Sequence, residues 1–297
     1  MAQKANSLIL HTTVTKWSTL AMDVALARSV GFDGVELSGA KVRNYLDSGY
    51  SKSELTELLS GLAVPALGFV TDLEREGAGF ESLLVEAEEH FSLAEAAGAK
   101  AVQVITGPID VNAVRAHREG RKFDGYSGLL GRDLTEQIRI NAANLAALAD
   151  RAKSFGLELY LEALGWTPLN TLACQQAVID QCARDNVKLV VDFWHCYVSG
   201  DGPEQIAKLP RDLILGVHLC DSKHFSGGVP DEGILRDVST GSGVLNLQEW
   251  VDAVKATGYD DWWSCELFCK RDQQGDSRQV AADLMALMDR LINPILE

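Results

Sequence analysis

The sequence predicts an α/β chain folded as one closed (β/α)8 barrel, a single domain across residues 1–297. Three observations carry that expectation. Eight short apolar or β-branched runs recur along the chain, and stretches with a period near 3.6 residues lie between them. No glycine-rich dinucleotide turn follows the first run, where an open doubly wound sheet would carry one. Parallel strands need crossover connections, and eight strand–helix units in a chain of 297 residues fit a closed barrel.

The first run is LILHTTV at 8–14, followed by the helical pattern TLAMDVALARSVG, which stops at Gly31. FDGVEL at 32–37 and VPALGFV at 64–70 supply the second and third strands. ESLLVEAEEHFSLAEAAG ends on Gly98 and leads into AKAVQVITG at 99–107. IRINAANLAALADRAKSFG ends on Gly156 before LELYLEAL at 157–164. VKLVVDFW at 187–194 and LILGVHLCD at 213–221 come next, then the helix NLQEWVDAVKATG and the last strand, WWSCELF at 262–268. Two connections are longer than a barrel requires, 107–131 and 221–243. Both follow strands, on the side where barrel loops carry function. The first holds a basic run, Arg115, His117, Arg118, Arg121 and Lys122, which reads as a solvated lid or as a reach toward an anionic substrate.

With 46% hydrophobic and 23% charged residues the composition is that of a globular protein. Forty-two acids against 27 Lys and Arg give a net charge of −15, and no segregated basic face offsets it, so a nucleic-acid partner is not expected. No run approaches the roughly 18 apolar residues of a membrane span, and MAQKANSLIL lacks a signal-like apolar region; a cytoplasmic location without membrane contact is the expectation. Homo-oligomerisation is left open. The cysteines at 174, 182, 196, 220, 265 and 269, several of them inside apolar strand-like runs rather than at framework spacings, read as reduced thiols. Cys265 and Cys269 read as buried thiols rather than a metal pair, because Glu266, Leu267 and Phe268 between them continue a strand.

Four successive late strands end on a group able to hold a divalent cation: Glu162, Asp192, His218 and Glu266. In a parallel barrel these ends converge on one rim. Buried carboxylates without a counter-charge carry a large desolvation penalty that a bound cation removes. Three carboxylates and one imidazole form a hard, oxygen-rich set suited to one manganese ion, with magnesium, cobalt or zinc as alternatives. For any one position a strand-end ion pair is the competing account; four in consecutive strands favour the cation. Asp221, three residues after His218, reads as an orienting partner of that ring or of a neighbour. His195 lies three residues after Asp192, an offset that changes face on an extended segment. A turn just after Asp192 is therefore needed to bring the imidazole to the mouth; otherwise His195 is a structural residue.

The ordered segments LYLEALG, RDNVKLVVDFWHCYVSG, GVHLCDS, RDVSTGSGVLNL and WWSCELF resemble the xylose-isomerase-like barrel superfamily of sugar isomerases and epimerases, in the manner of its inosose isomerase branch. The resemblance implies that Glu162, Asp192, His218 and Glu266 ligate the metal and that Glu162 and Glu266 exchange protons with substrate. It also implies that His195 and Arg236 contact substrate oxygens, and it places an acid, Glu36, toward the pocket. A salt bridge of Glu36 to Lys41 or Arg43 is the alternative. His11 and Trp17, after the first strand, are candidates for the pocket floor or wall. The superfamily also contains abasic-site endonucleases with several zinc ions; six histidines and the acidic charge disfavour that branch here.

Moving a carbonyl along a polyol, or inverting the carbon beside it, requires removal of a weakly acidic proton. A metal-stabilised enediolate lowers that barrier by several kcal/mol. The expectation is thus a divalent-metal-dependent isomerase or epimerase of a keto-sugar or keto-cyclitol. The same groups also permit β-elimination by a dehydratase or a 3-keto-glycoside lyase.

Overall fold

The structure, a computed structural model, describes residues 6–294, so the first five residues of MAQKANSLIL lie outside the described residues. Eight parallel strands form the barrel: β1 (Ser7–His11), β2 (Gly34–Ser38), β3 (Ala66–Val70), β4 (Ala101–Ile105), β5 (Glu158–Glu162), β6 (Val187–Asp192), β7 (Ile214–Leu219) and β8 (Trp262–Cys265). They pair in chain order, and β8 closes on β1 through Ser7 opposite Trp262. Each strand overlaps one of the eight apolar runs.

Helices cover the outside. Leu20–Val30 starts on Thr19, whose side chain accepts from the Met22 N–H, and stops on Gly31 at φ 99°. That left-handed conformation is open to glycine at no steric cost. Asp133 caps the long helix Leu134–Ser154 by accepting from the Glu136 N–H. The buried face of each helix meets the outward side chains of the strands, such as Leu10, Val35, Val102, Leu161, Val191 and Val217.

Inside the barrel the two-residue period of a strand sorts the side chains into layers. Ile9, Ala66, Ala101, Tyr160, Val190 and Trp262 form an apolar floor separate from the helix-facing core. Gly216 belongs to that floor as well: a Cβ there would overlap the Trp262 indole, so the glycine makes room for the ring. Two residues farther along the strands the same face turns polar, with His11, Glu36, Gln103, Glu162, Asp192, His218 and Ser264. The floor is apolar packing; the layer above it holds the polar and titratable side chains.

Several local expectations change. β8 ends at Cys265: the Glu266 N–H still reaches the Leu219 carbonyl, but the Leu267 N–H donates to Thr13 Oγ1 as the chain leaves the sheet. Glu266, Leu267 and Phe268 therefore do not continue a strand. All six cysteines are free, and Cys265 and Cys269 are both buried. The two long connections contain short helices, Val111–Arg118 and Glu232–Leu235, and meet through Arg115 and Asp231 at 2.7 Å. The rest of the basic run is partly engaged locally, Arg121 with Glu119 and Lys122 with Asp124. The first connection is also tied to the loop after β3, where Glu74 accepts from the Gly107 N–H at 2.7 Å and Asp72 from the Ile109 N–H at 2.8 Å. No helix among the described residues is long and apolar enough to cross a membrane.

Candidate metal centre

At the carboxyl end of the barrel a cavity of about 610 Å³ opens over the polar layer. Glu36, Glu162 and Glu266 line it, and His218, fully buried on β7, joins them from the polar layer. Its Nε2 lies 3.0 Å from Glu36 Oε1. Glu36 also accepts from the Tyr160 hydroxyl at 2.9 Å and from Ser264 Oγ at 2.6 Å. Burial by itself would raise the Glu36 carboxyl, but His218 and His11 beside it hold it well below the usual range. An ionised Glu36 makes His218 Nε2 the donor, an assignment drawn from the network, and the Nδ1 edge lies toward β5 and β6.

That Nδ1 faces two carboxylates, Glu162 Oε1 at 3.3 Å and Asp192 Oδ2 at 3.9 Å. Neither Nδ1 nor Glu162 Oε1 has a hydrogen-bond partner, although both are buried. Glu162 Oε2 is fixed by Gln103 Nε2 at 2.7 Å, and burial pushes the Glu162 carboxyl up to about 7. Ligand atoms of Glu162, Asp192 and His218 all lie within 4.8 Å of one another. Two partnerless buried atoms facing each other beside a third acid are what a cation would complete, so the residues present fit a divalent ion. His11, Glu36 and His218 make a second such grouping, but Glu36 there is already saturated by Tyr160, Ser264 and His218.

Glu266 stands at the edge of this set. Its Oε2 accepts from Arg236 at 2.8 Å, and His11 Nε2 lies 3.5 Å from Oε1. Burial alone would raise it, yet Arg236, His11 and His218 hold its carboxyl well below the usual carboxylate range. Arg236 is itself buried, its guanidinium 4.0 Å from the Phe268 ring centre, and bridges Glu266, Asp192 (3.6 Å) and Glu232 (3.1 Å).

The spacing of Asp192 and His195 has a local cause. A helix, Phe193–Ser199, starts directly after β6 with Asp192 as its N-cap, and Asp192 Oδ1 accepts from the His195 N–H at 2.7 Å. The helical turn swings the imidazole to the cavity wall. His195 Nδ1 accepts from the Gly165 N–H at 3.0 Å, which leaves the ring proton on Nε2. Burial pulls the imidazole down to about 4, so the ring is neutral at ordinary pH.

The structure thus gathers Glu162, Asp192, His218, Glu266, His195, Arg236, Glu36 and His11 at one rim, with Glu36 in contact with the Nε2 of His218. Lys41 pairs with Asp23 and Arg43 with Glu89, not with Glu36. Trp17 is 70% exposed and outside the cavity lining. Asp221 does not orient a metal-facing side chain; it accepts from the N–H groups of Ser222, Gly241, Gly243 and Leu245 and so pins the loop before the next helix. Gln103, Tyr160, Ser264 and Glu232 were not anticipated. Gln103 carried a signal, a polar residue on the inward face of the apolar strand AVQVI.

Known proteins agree with this architecture. The chain is 27% identical over 266 residues to an inosose isomerase of Bacillus velezensis, an alignment that covers 86% of each chain. It is 24% identical over 275 residues, 91% of its length, to 39% of a 3-dehydroshikimate dehydratase of Pseudomonas putida. A crystal structure of the IolI protein with a bound zinc atom superposes with a TM-score of 0.84 at 21% identity, covering 98% of this chain and 99% of that one. The family described as xylose isomerase-like TIM barrel matches residues 24–291, and the chain belongs to that family.

Proposed function

We propose that the protein is a divalent-metal-dependent isomerase or epimerase acting on a keto-cyclitol or keto-sugar. The observation that carries this reading is the pair of buried atoms without a hydrogen bond, Glu162 Oε1 and His218 Nδ1 at 3.3 Å from each other, grouped with Asp192 and with Glu266 at the edge of the set. Likeness to inosose isomerases over most of both chains supports a cyclic polyol ketone as substrate. Glu162, Asp192, His218 and Glu266 would hold the ion, with manganese favoured by the three carboxylates and zinc, magnesium or cobalt also suited to them. The ion supplies Lewis-acid polarisation of a carbonyl and the hydroxyl beside it.

The protein's own groups then manage the proton. Glu162 on β5 and Glu266 after β8 are separated around the rim by β6 and β7. A ring held above Asp192 and His218 presents different faces to these two carboxylates. Removal and return on one face shifts the carbonyl; return on the opposite face inverts the carbon. Gln103 fixes Glu162, and Arg236 with His11 keeps Glu266 ionised. The Nε2–H of His195 and the guanidinium of Arg236 donate to substrate oxygens as their charge grows. Glu36 holds the His218 ring.

Elimination is the second reading. It is favoured by the likeness to a dehydratase and by Glu232, a carboxyl beside Arg236 that burial raises and that can deliver a proton to a departing hydroxyl. Product analysis on inososes, ketohexoses and 3-keto-glycosides separates the outcomes. Conversion with unchanged mass is expected; loss of water or of an aglycone would establish elimination instead.

A further inference from the structure

The cavity is larger than a single polyol ring. A cyclitol or hexose has about a dozen non-hydrogen atoms, well short of what a pocket of this class accommodates, and the cavity measures about 610 Å³. Polarity is also unevenly distributed. The hydrogen-bonding groups cluster on the barrel layer around His218, while Phe69 near the end of β3 and Ile109, Val111, Leu164, Trp166 and Phe268 beyond the strand ends line the walls. Phe69 is 49% exposed and Ile109 38% exposed, so apolar surface faces the opening uncovered. Charge around this outer part does not suit an anion. Its charges are mostly paired with one another, Asp231 with Arg115 at 2.7 Å, Glu232 with Arg236 at 3.1 Å and Lys41 with Asp23 at 2.7 Å, and Asp110 and Lys16 share the lining with no cluster of cations beside them.

We infer that the site takes a polyol ring bearing an uncharged apolar substituent, an aryl group or one of similar size, seated against Phe69 and Ile109. The inference rests on the proposed function, in which the polar layer grips the ring oxygens. It adds that Phe69 near the end of β3 and the connection after β4 select the substituent. Burying one aromatic face against such a wall strengthens binding about tenfold or more.

The test uses two non-reacting probes, methyl β-D-glucoside and phenyl β-D-glucoside, titrated into the manganese-loaded full chain by ligand-observed NMR. The phenyl compound is expected to bind at least about tenfold more tightly. Phe69→Ala should remove most of that gain and leave the methyl compound unchanged, which also serves as the folding control. Equal affinity for the two probes, absence of binding by either, or a phenyl preference that survives Phe69→Ala overturns the inference. The proposed reaction stands or falls separately, on whether any small ketone of the panel is converted.

Discussion

Replacing Glu74 by Gln probes the attachment of the loop over the mouth, and its effect has a defined sign with pH. Glu74 is only 2% exposed, and burial, with Asp72 nearby, pushes its carboxyl from 4.5 up to about 7. Between those values the unfolded chain ionises while the folded chain keeps its proton. The folded state then binds more protons, so wild-type stability falls as pH rises from about 4.5 to about 7 and stays lower above it. A carboxyl moved by that much costs about 3 kcal/mol once fully ionised. That figure is a ceiling, since lifting the loop would let water reach the group. Gln keeps an oxygen for the Gly107 N–H and removes the ionisation. Urea unfolding at pH 5 and pH 8 should show Glu74→Gln close to wild type at pH 5 and about 1–3 kcal/mol more stable at pH 8. An equal difference at both pH values, or a loss of stability at pH 8, would refute the reasoning.

Other outcomes follow from the same contacts. Gln103→Leu removes the donor that fixes Glu162 and should weaken manganese affinity about 10–100-fold with the circular dichroism spectrum unchanged. Gly216→Ala forces a methyl into the Trp262 ring and should destabilise the chain by about 1–3 kcal/mol in urea. His195→Gln should lower kcat about 100-fold while retaining the metal. Because burial holds His195 at about 4, the pH–rate profile of that variant should keep any limb between pH 6 and 8.

The barrel was legible because its signal is local: a strand–helix alternation and a two-residue inward period are both written in short stretches. The grouping of Glu162, Asp192 and His218 was legible for the same reason, since each is a polar residue near the end of an apolar run. The supporting contacts were not. Tyr160 reaches Glu36 across 124 residues of chain and Ser264 reaches it across 228, pairings that exist only once the barrel closes. Asp221 illustrates the converse. Its place after His218 suggested a partner for a ring, but its neighbours in space are the backbone N–H groups of a glycine-containing loop more than a dozen residues ahead. The end of β8 was misplaced because Glu266, Leu267 and Phe268 carry strand-like composition, while after the Glu266 N–H the chain turns from the sheet and the Leu267 N–H donates to Thr13 in the loop after β1.

Titration of manganese into the metal-stripped chain, with bound metal counted by elemental analysis, addresses the central claim most directly. One ion per chain should bind, and the Glu162→Gln/Asp192→Asn double variant should fold and bind none. Absence of uptake by the wild-type chain, or undiminished uptake by that variant, would contradict the assignment of these side chains as the ion's ligands.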